Sequence, residues 1–263
     1  MSLKLSVITV TLNSERFLSE CLASVVSQGD YLHEHIIVDG GSTDATLEII
    51  KRYAVSDSRV RWISEPDRGI SDAMNKGVAL ATGDVITHLN SDDYYPHPNV
   101  LSTVLECFCR NPGWLWLTAG FSFVSEEGKF LRDIRVRRYS YRRLIRGNIL
   151  LHPSTFINRD LFNSVGGFDL SLSYCMDYEL FLKLGGVAPP LVVDEQLSCF
   201  RAHSGSRSVS NSELAYAEEF RVRMNYLRSK GRSTIYYRFD YQIKRHLNKL
   251  FYRGLFSANK IQA

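Results

Sequence analysis

Cysteine is scarce and scattered in this sequence, and long apolar runs are missing from it. The five cysteines are odd in number and show no paired CxxC spacing, so we expect neither a disulfide framework nor a zinc site. No stretch reaches the roughly eighteen apolar residues of a membrane span, and the first residues lack the order of a signal peptide. We therefore expect a protein that stays in the cytosol.

Glycine is absent from the loop after the first predicted strand. Residues 5–11 are short, apolar and β-branched, which predicts a strand, and the residues that follow are Leu12, Asn13 and Ser14. A dinucleotide-binding turn needs glycines at this point to bring the backbone close to a pyrophosphate. The sequence therefore disfavours a dinucleotide cofactor, and Asn13 with Ser14 is predicted to cap a first helix.

The net charge of +4 is unevenly distributed. From Arg221 onward the chain has eleven Lys and Arg residues against one acid, whereas residues 1–220 carry 21 basic and 27 acidic residues, a net of −6. A basic, aromatic-rich segment on an acidic body favours an anionic membrane surface over nucleic acid, and its alternative is a solvated helical arm packed on the body. We predict a domain at 1–210, a basic helical extension at 211–263, and no nucleic-acid partner.

Strands and helices alternate along the first half of the chain. Apolar runs at 5–11, 36–38, 60–63 and 84–89 are separated by segments with helical spacing, the last of them predicted at 71–81 with Ser71 as its cap. This alternation implies right-handed crossovers and a mostly parallel α/β sheet. A helix near 100–109, a strand at 114–124, a helix at 176–184 and a closing loop at 200–206 are predicted beyond it.

Acidic residues follow two of the predicted strands. Asp92 and Asp93 come directly after the strand at 84–89, where an open α/β sheet collects its ligands. Paired carboxylates there suit Mg²⁺ or Mn²⁺ bridging to a diphosphate, although an isolated pair is more often a polar loop. Asp39 precedes a Gly-Gly-Ser turn. Its carboxylate could accept hydrogen bonds from the N–H of a base or from ribose hydroxyls, or it could stabilise the turn alone. Asp72 could be a helix cap without any ligand.

The order of motifs closely resembles that of family-2 inverting glycosyltransferases of the GT-A fold. The resemblance runs from about residue 4 to 210 and rests on seven segments: 6–13, 37–44, 65–69, 90–93, 166–169, 176–179 and 201–203. Seven motifs in the family's order are far more specific than any one of them. The resemblance implies a Rossmann-like GT-A fold, a mixed and mostly parallel sheet flanked by helices, and transfer of a sugar from a nucleotide donor, with UDP favoured.

The resemblance also implies roles for single residues. Asp39 matches the aspartate that contacts uracil, and Asp92 matches the metal-binding end of an Asp-x-Asp motif whose first position is Asn90 here. Asp177 matches the general base of a Glu-Asp pair, although Met176 stands where the family has Glu. Asp177 could instead face solvent on an amphipathic helix.

The implied site has three parts. The resemblance assigns the general base to Asp177 and a Mn²⁺ or Mg²⁺ site to Asp92 and His203. It assigns contacts with the nucleotide donor to these residues: Thr11, Asn13, Asp39, Glu65, Arg68, Asp72, Asn90, Ser91 and Arg201. The metal would stabilise charge on the leaving diphosphate while Asp177 takes the acceptor proton, so that one displacement inverts the anomeric centre.

The acceptor and two other functions remain open at this point. Residues 129–146 contain eight basic side chains and one acid, which is typical of a solvated loop but also favours an anionic, lipid-diphosphate-linked or glycan acceptor on the inner face of the membrane. One alternative is a sugar-phosphate nucleotidyltransferase, whose usual glycine-rich first loop is missing. Another is a nucleotide-sugar-binding protein without turnover, which Asn90 and Met176 leave plausible.

Overall fold

The computed structural model describes residues 3–136, 138–203 and 212–239. Its first half alternates strands and helices. The order is β1 (Leu5–Thr11), α1 (Leu18–Val26), β2 (Glu34–Asp39), α2 (Thr46–Ser56), β3 (Val60–Ser64), α3 (Ile70–Leu80) and β4 (Val85–His88).

The second half is less regular. It contains α4 (Val100–Arg110), β5 (Trp116–Val124), β6 (Phe130–Ile134), α5 (Tyr141–Arg146), β7 (Thr155–Asn158), α6 (Arg159–Ser164), α7 (Met176–Val187), β8 (Leu191–Arg201) and α8 (Ser212–Ser229). Short 3₁₀ turns lie at Gly29–Tyr31 and His152–Ser154.

The strands form one mixed sheet in the order β3-β2-β1-β4-β7-β5-β6, and β8 also pairs with β5. Strands β1 to β4 are parallel, β8 is parallel to β5, and β7 runs antiparallel to both β4 and β5. The prediction of a mixed, mostly parallel sheet flanked by helices is confirmed. Because β7 is reversed, the loop that enters it reaches the same edge as the carboxyl ends of β1 to β5.

Both faces of the central sheet are buried, which explains the continuous apolar runs of the strands. Ile8 and Val10 pack in one core cluster with side chains of α3, α7 and α8, whereas Leu5 and Val7 pack in a second cluster with α1 and α4. Each fully buried aliphatic side chain of this kind contributes about 1.5–3 kcal/mol relative to exposure. Helices therefore cover the sheet and leave its carboxyl edge to loops.

Three local predictions differ from the structure. Helix α3 begins at Ile70 after Gly69, and the hydroxyl of Ser71 donates to the Leu172 carbonyl at 3.2 Å instead of capping the helix. The predicted loop at 200–206 begins too early, because β8 continues through Arg201. The amide oxygen of Asn13 accepts from the neighbouring turn, so α1 begins later, at Leu18, without a side-chain cap.

Helix α8 packs on the body of the protein. Its apolar residues Val222, Met224 and Leu227 are buried in the same core cluster as Tyr178 of α7. The described start of the predicted 211–263 extension thus shares the body's core, while residues 240–263 lie outside the described residues. None of the helices in the described ranges is both long and apolar enough to cross a membrane.

Candidate active site

Asp39 lies at the carboxyl end of β2 and is fully buried. One of its carboxylate oxygens accepts the N–H groups of Gly41 at 3.2 Å and Ser42 at 3.0 Å and the hydroxyl of Ser64 at 2.7 Å, and the other accepts the Ser42 hydroxyl. A carboxylate offers about four acceptor sites. Asp39 therefore shapes the turn after β2, and the oxygen that accepts only the Ser42 hydroxyl has the remaining acceptor capacity.

The end of β1 is tied to this turn. Asn13 adopts a left-handed backbone conformation with φ of 50°, its N–H donates to the Ser42 hydroxyl at 2.8 Å, and its side-chain oxygen accepts the N–H of Thr43 at 2.8 Å. Thr11 is buried, and its hydroxyl oxygen has no hydrogen-bond partner among the residues that the structure describes. Such an orphaned polar group is costly unless a water or ligand satisfies it.

The segment between β3 and α3 is an ion-pair network. Asp72 accepts the backbone N–H of Arg68 at 3.1 Å and its guanidinium at 3.0 Å, and these bonds lower the pKa of Asp72. Lys76 bridges Asp72 at 3.6 Å and Glu65 at 2.7 Å. The structure thus brings Glu65, Arg68 and Asp72 together, and their present contacts are with each other and with Lys76.

The acidic turn after β4 contains one accessible and one buried carboxylate. Asp93 is fully buried and accepts the N–H of Arg201 at 3.1 Å and the Asn90 amide at 3.2 Å. Burial, and next the adjacent Asp92 carboxylate, raise the pKa of Asp93 well above its usual range. Ser91 donates to the hydroxyl of Ser14 at 2.9 Å, which ties the turn to the loop after β1. Asp92 is the carboxylate that remains available to a ligand.

Arg201 supports this turn from inside the protein. Only 2% of its side chain is exposed, and its guanidinium lies between the rings of Phe17 at 4.9 Å and Tyr94 at 5.2 Å. It donates to the Asp92 carbonyl at 3.1 Å and also pairs with Glu20. Arg201 therefore holds the Asp92 turn in place, and its contacts in this structure are with the protein.

His203 follows β8 and meets Asp92. Its Nε2 lies 2.9 Å from the Asp92 Oδ2, and its ring packs at 4.9 Å from the ring of Phe17. The sequence separates these two residues by more than a hundred positions, and the parallel pairing of β8 with β5 brings His203 to the edge where β4 ends. The structure thus places the two predicted metal ligands side by side.

Asp177 lies in the first turn of α7 and is a candidate general base. Burial raises its pKa from 3.8 to about 6, against the opposing effects of the Tyr178 N–H at 2.7 Å and the Asn148 amide at 3.1 Å. An ionised carboxylate with a raised pKa is a stronger base than an ordinary aspartate. Asp177 is half-buried, so its side chain lies at the surface of the body without being fully exposed to solvent.

Comparison with known proteins decides the family. The model of Glycosyl transferase family 2 matches residues 6–162, which is more than half of the chain. The chain belongs to glycosyl transferase family 2. The family prediction made from the seven motifs is confirmed, and with it the prediction of a glycosyltransferase; the two alternative functions are not favoured.

Curated family 2 relatives differ in length. Chondroitin synthase of Escherichia coli is 28% identical over 211 residues, which are 80% of this chain but only 30% of that protein. An uncharacterised glycosyltransferase of Mycobacterium tuberculosis is 31% identical over 198 residues, or 72% of this chain and 71% of its own length. A PGL/p-HBAD biosynthesis glycosyltransferase of Mycobacterium bovis is 30% identical over 190 residues and 68% of both chains.

Solved structures confirm the GT-A fold of this family 2 chain. Residues 1–349 of S. aureus TarS in complex with UDP-GlcNAc match with a TM-score of 0.65 at 21% identity, over 85% of this chain and 66% of that one. The mannosyltransferase PcManGT of Pyrobaculum calidifontis, in complex with GDP-Man and Mn²⁺, matches with a TM-score of 0.62 at 17% identity, over 85% of this chain and 63% of that one.

Asp92 and His203 of this family 2 chain could be two ligands of a metal whose shell a bound substrate completes. The described ranges contain no cluster of three or more His, Cys, Asp or Glu side chains suited to a metal ion. Mg²⁺ typically takes one or two protein ligands and completes its shell with phosphates and water, and neighbouring ligands around it lie about 3 Å apart. The His203 Nε2 and the Asp92 Oδ2 lie 2.9 Å apart and share a hydrogen bond, so a metal held by both would take the place of the proton between them.

Asn148 is a functional candidate that the sequence did not reveal. It lies in the loop that enters β7, and four residues later His152 stacks on His88 at 5.7 Å, at the end of β4. This loop therefore extends from the end of β4 to Asp177. Burial lowers the pKa of both imidazoles, to about 3 for His88 and about 4 for His152, so both are neutral at physiological pH.

Proposed function

We propose that this chain is an inverting glycosyltransferase that moves one sugar from a nucleoside diphosphate donor, with UDP favoured, to a polysaccharide precursor or lipid-linked acceptor. The observation that carries the proposal is Asp177, a carboxylate with a pKa of about 6 on a family 2 fold whose adjoining loop reaches the end of β4. The UDP-GlcNAc and UDP complexes of TarS support a uridine donor.

The chemistry is a single displacement. An acceptor hydroxyl gives its proton to a carboxylate oxygen of Asp177 as its own oxygen bonds to the anomeric carbon of the donor. The bond from that carbon to the β-phosphate oxygen breaks, and the nucleoside diphosphate leaves with the electron pair. General-base help of this kind contributes about 10²–10⁴-fold. A Mn²⁺ or Mg²⁺ ion held by Asp92 and His203 would supply positive charge to the leaving diphosphate.

The donor side uses the loops after β1, β2, β3 and β4. The turn of Asp39 and Asn13 forms one wall, and the network of Glu65, Arg68 and Asp72 lies after the neighbouring strand. The orphaned hydroxyl of Thr11 supports a ligand at this edge, because a ribose or base atom there would satisfy it. Asn90 and Ser91 stabilise the turn that contains Asp92, and the buried Arg201 side chain supports the same turn from the interior of the protein.

The acceptor proposal rests on charge. The segment 129–146 is rich in arginine, and its described members include Arg132, Arg142 and Arg146, all exposed. Each basic residue near an anionic surface is worth about 1 kcal/mol, which favours a lipid-diphosphate-linked acceptor on the inner face of the cytoplasmic membrane. Six of the eleven basic residues from Arg221 onward belong to the described part of the chain, and the other five lie beyond residue 239, outside the described residues.

Thermal unfolding with UDP, GDP, CDP and dTDP, each with and without Mn²⁺, tests the donor site. A ligand at a hundred times its dissociation constant stabilises by about 2.7 kcal/mol, or roughly 5–10 °C at this chain length. We expect a Mn²⁺-dependent shift with UDP, and no shift with any nucleotide would overturn the donor assignment.

Asp177→Asn tests the chemistry. This variant should keep the UDP-dependent shift and lose turnover of UDP-sugars, measured as UDP release with glycan and lipid-linked acceptors. Asp194→Asn is the matched control, because Asp194 is 81% exposed and pairs only with Arg135 among the described contacts. Wild-type turnover in Asp177→Asn would remove Asp177 from the mechanism.

A further inference from the structure

Helix α8 crosses the turn that precedes α7. The carboxylate of Glu218 accepts three successive backbone N–H groups of that turn, from Ser173 at 3.1 Å, Tyr174 at 2.6 Å and Cys175 at 2.9 Å. All three bonds reach the same oxygen, Oε2. The side chain of Glu218 is 10% exposed, so water competes little for these donors.

Successive N–H groups of a turn form a concave site for an anion. The carboxylate of Glu218 fills this site from another helix, more than forty residues away in sequence. Hydrogen bonds to an ionised acceptor are shorter and about twice as strong as neutral ones. The turn ends at Cys175, two residues before Asp177, so its conformation sets where the first residues of α7 lie.

A second contact of α8 fixes the neighbouring residue of α7. Arg223 is 5% exposed and donates to the hydroxyl of Tyr178 at 3.3 Å, and that hydroxyl donates to the Leu144 carbonyl at 3.0 Å. Arg223 also lies beside Gly147, where an added Cβ would be 3.7 Å from its guanidinium. The same helix thus contacts the segment of Asp177 and the segment of Asn148.

We propose that Glu218 is a positioning residue for the general base, holding the 173–175 turn so that Asp177 stays in contact with Asn148. The inference rests on the proposed role of Asp177. It concerns a part of the chain beyond residue 162, where the family match ends. A 1 Å displacement of a catalytic group can reduce the rate about a hundredfold. The hydrogen bonds from the 173–175 turn to Glu218 therefore have a direct consequence for turnover.

The charged and titratable groups near the turn limit how the test is designed. Burial, and after it the charges of Asp177, Glu219 and Glu218, raise the pKa of the Cys175 thiol. Burial also raises the pKa of Tyr178, and Arg223 opposes that rise. Loss of the Glu218 charge alone could therefore change a titration without any movement of the turn. Glu218→Asp keeps the charge and shortens the reach, whereas Glu218→Gln keeps the reach and removes the charge.

Both variants are compared with wild type and with Glu213→Gln, the same chemical change at an exposed position of α8. The rate of UDP release from UDP-N-acetylglucosamine gives kcat and the donor KM. Hydrogen exchange of the amides of 173–175 and a carbon NMR titration of Asp177, with Asp177→Asn identifying its signal, need no turnover. Thermal unfolding with UDP and Mn²⁺ checks that each variant is folded.

We expect kcat to fall about tenfold to a hundredfold in Glu218→Gln and to fall in Glu218→Asp, with the donor KM unchanged. Exchange of the 173–175 amides should accelerate in both, and the pKa of Asp177 should rise as its hydrogen bond from Asn148 is lost. Glu213→Gln should match wild type in every readout.

Two results would overturn the proposal. One is unchanged kcat and an unchanged Asp177 titration in Glu218→Asp and Glu218→Gln below their unfolding temperatures, which would make Glu218 a stabilising residue only. The other is unchanged amide exchange. If Glu218→Gln fails to fold, Glu218→Asp decides alone. Absence of turnover in wild type would refute the proposed function, while the exchange and NMR measurements would still decide whether Glu218 holds the turn.

Discussion

Removal of the Asn148 amide should shift the pH dependence of turnover. The Asn148 amide donates to Asp177 at 3.1 Å and lowers the pKa of that carboxyl, which burial otherwise raises. A hydrogen bond to a charged group is worth about 1.5–3 kcal/mol, and the exposure of Asn148 places its contribution near or below the lower limit. Since about 1.4 kcal/mol corresponds to one pKa unit, Asn148→Ala should raise the pKa of Asp177 from about 6 to roughly 7.

The sign of the effect follows from the role of a base. Asp177 must be ionised to accept a proton, so kcat falls as the pH drops through its pKa. With the shift of one unit, Asn148→Ala should lose about fivefold in kcat at pH 6 and almost nothing at pH 8. Profiles of kcat for UDP release between pH 5 and 9 measure this.

Asn163→Ala is the control, because Asn163 is an exposed residue of α6. Its acid limb should coincide with that of wild type. If Asn148→Ala keeps the wild-type limb while it still binds UDP with Mn²⁺, then Asp177 is not the group that titrates in turnover and the reasoning fails.

Three further outcomes are expected. Asp177→Asn should stabilise the protein by roughly 1–3 kcal/mol at pH 8. Folding raises the pKa of Asp177 from 3.8 to about 6, so the wild-type protein loses stability as the pH rises through that range, and the variant does not. Thermal or urea unfolding measures this, and equal stability of the two proteins at pH 8 would contradict it. Asp92→Asn and His203→Ala should each abolish the part of the UDP-induced thermal shift that depends on Mn²⁺, and a retained shift in both would remove the metal assignment. Gly120→Ala should cost about 1–3 kcal/mol, since its Cβ would lie 2.7 Å from a backbone oxygen, whereas Gly113→Ala, with open space around it, should not.

The donor side of the site could be predicted from sequence because its signals are local. Strands β1 to β4 are apolar runs, each followed directly by the polar residues that the parallel topology brings to one edge. Asp39 and Asp92 thus lie at or just after the ends of their strands in the sequence, and they lie at the same edge of the sheet in the structure. The meeting of Asp92 with His203 required the family resemblance, because the sequence alone does not show that β8 pairs with β5.

The surroundings of the proposed general base were harder to predict than the donor side, because their contacts join residues far apart in the sequence. Asn148 precedes β7, which runs antiparallel to its neighbours. A search limited to residues that follow strands therefore misses it. Glu218 lies in a region whose charge and aromatic content suggested a membrane-facing arm, whereas its carboxylate faces the turn before α7. Arg201 is predicted in a loop, whereas it ends β8 and is buried by contacts with residues far away in the sequence.

The packing of α8 has a consequence for how far the chain can be shortened. A version cut after residue 203 would retain strands β1 to β8 of the described chain and all the loops assigned to the donor. It would nevertheless uncover apolar surface on α7 and lose the anchor of the turn before Asp177. We therefore expect the shortest active piece to extend at least to Ser229, well beyond residues 6–162, by which its family is recognised.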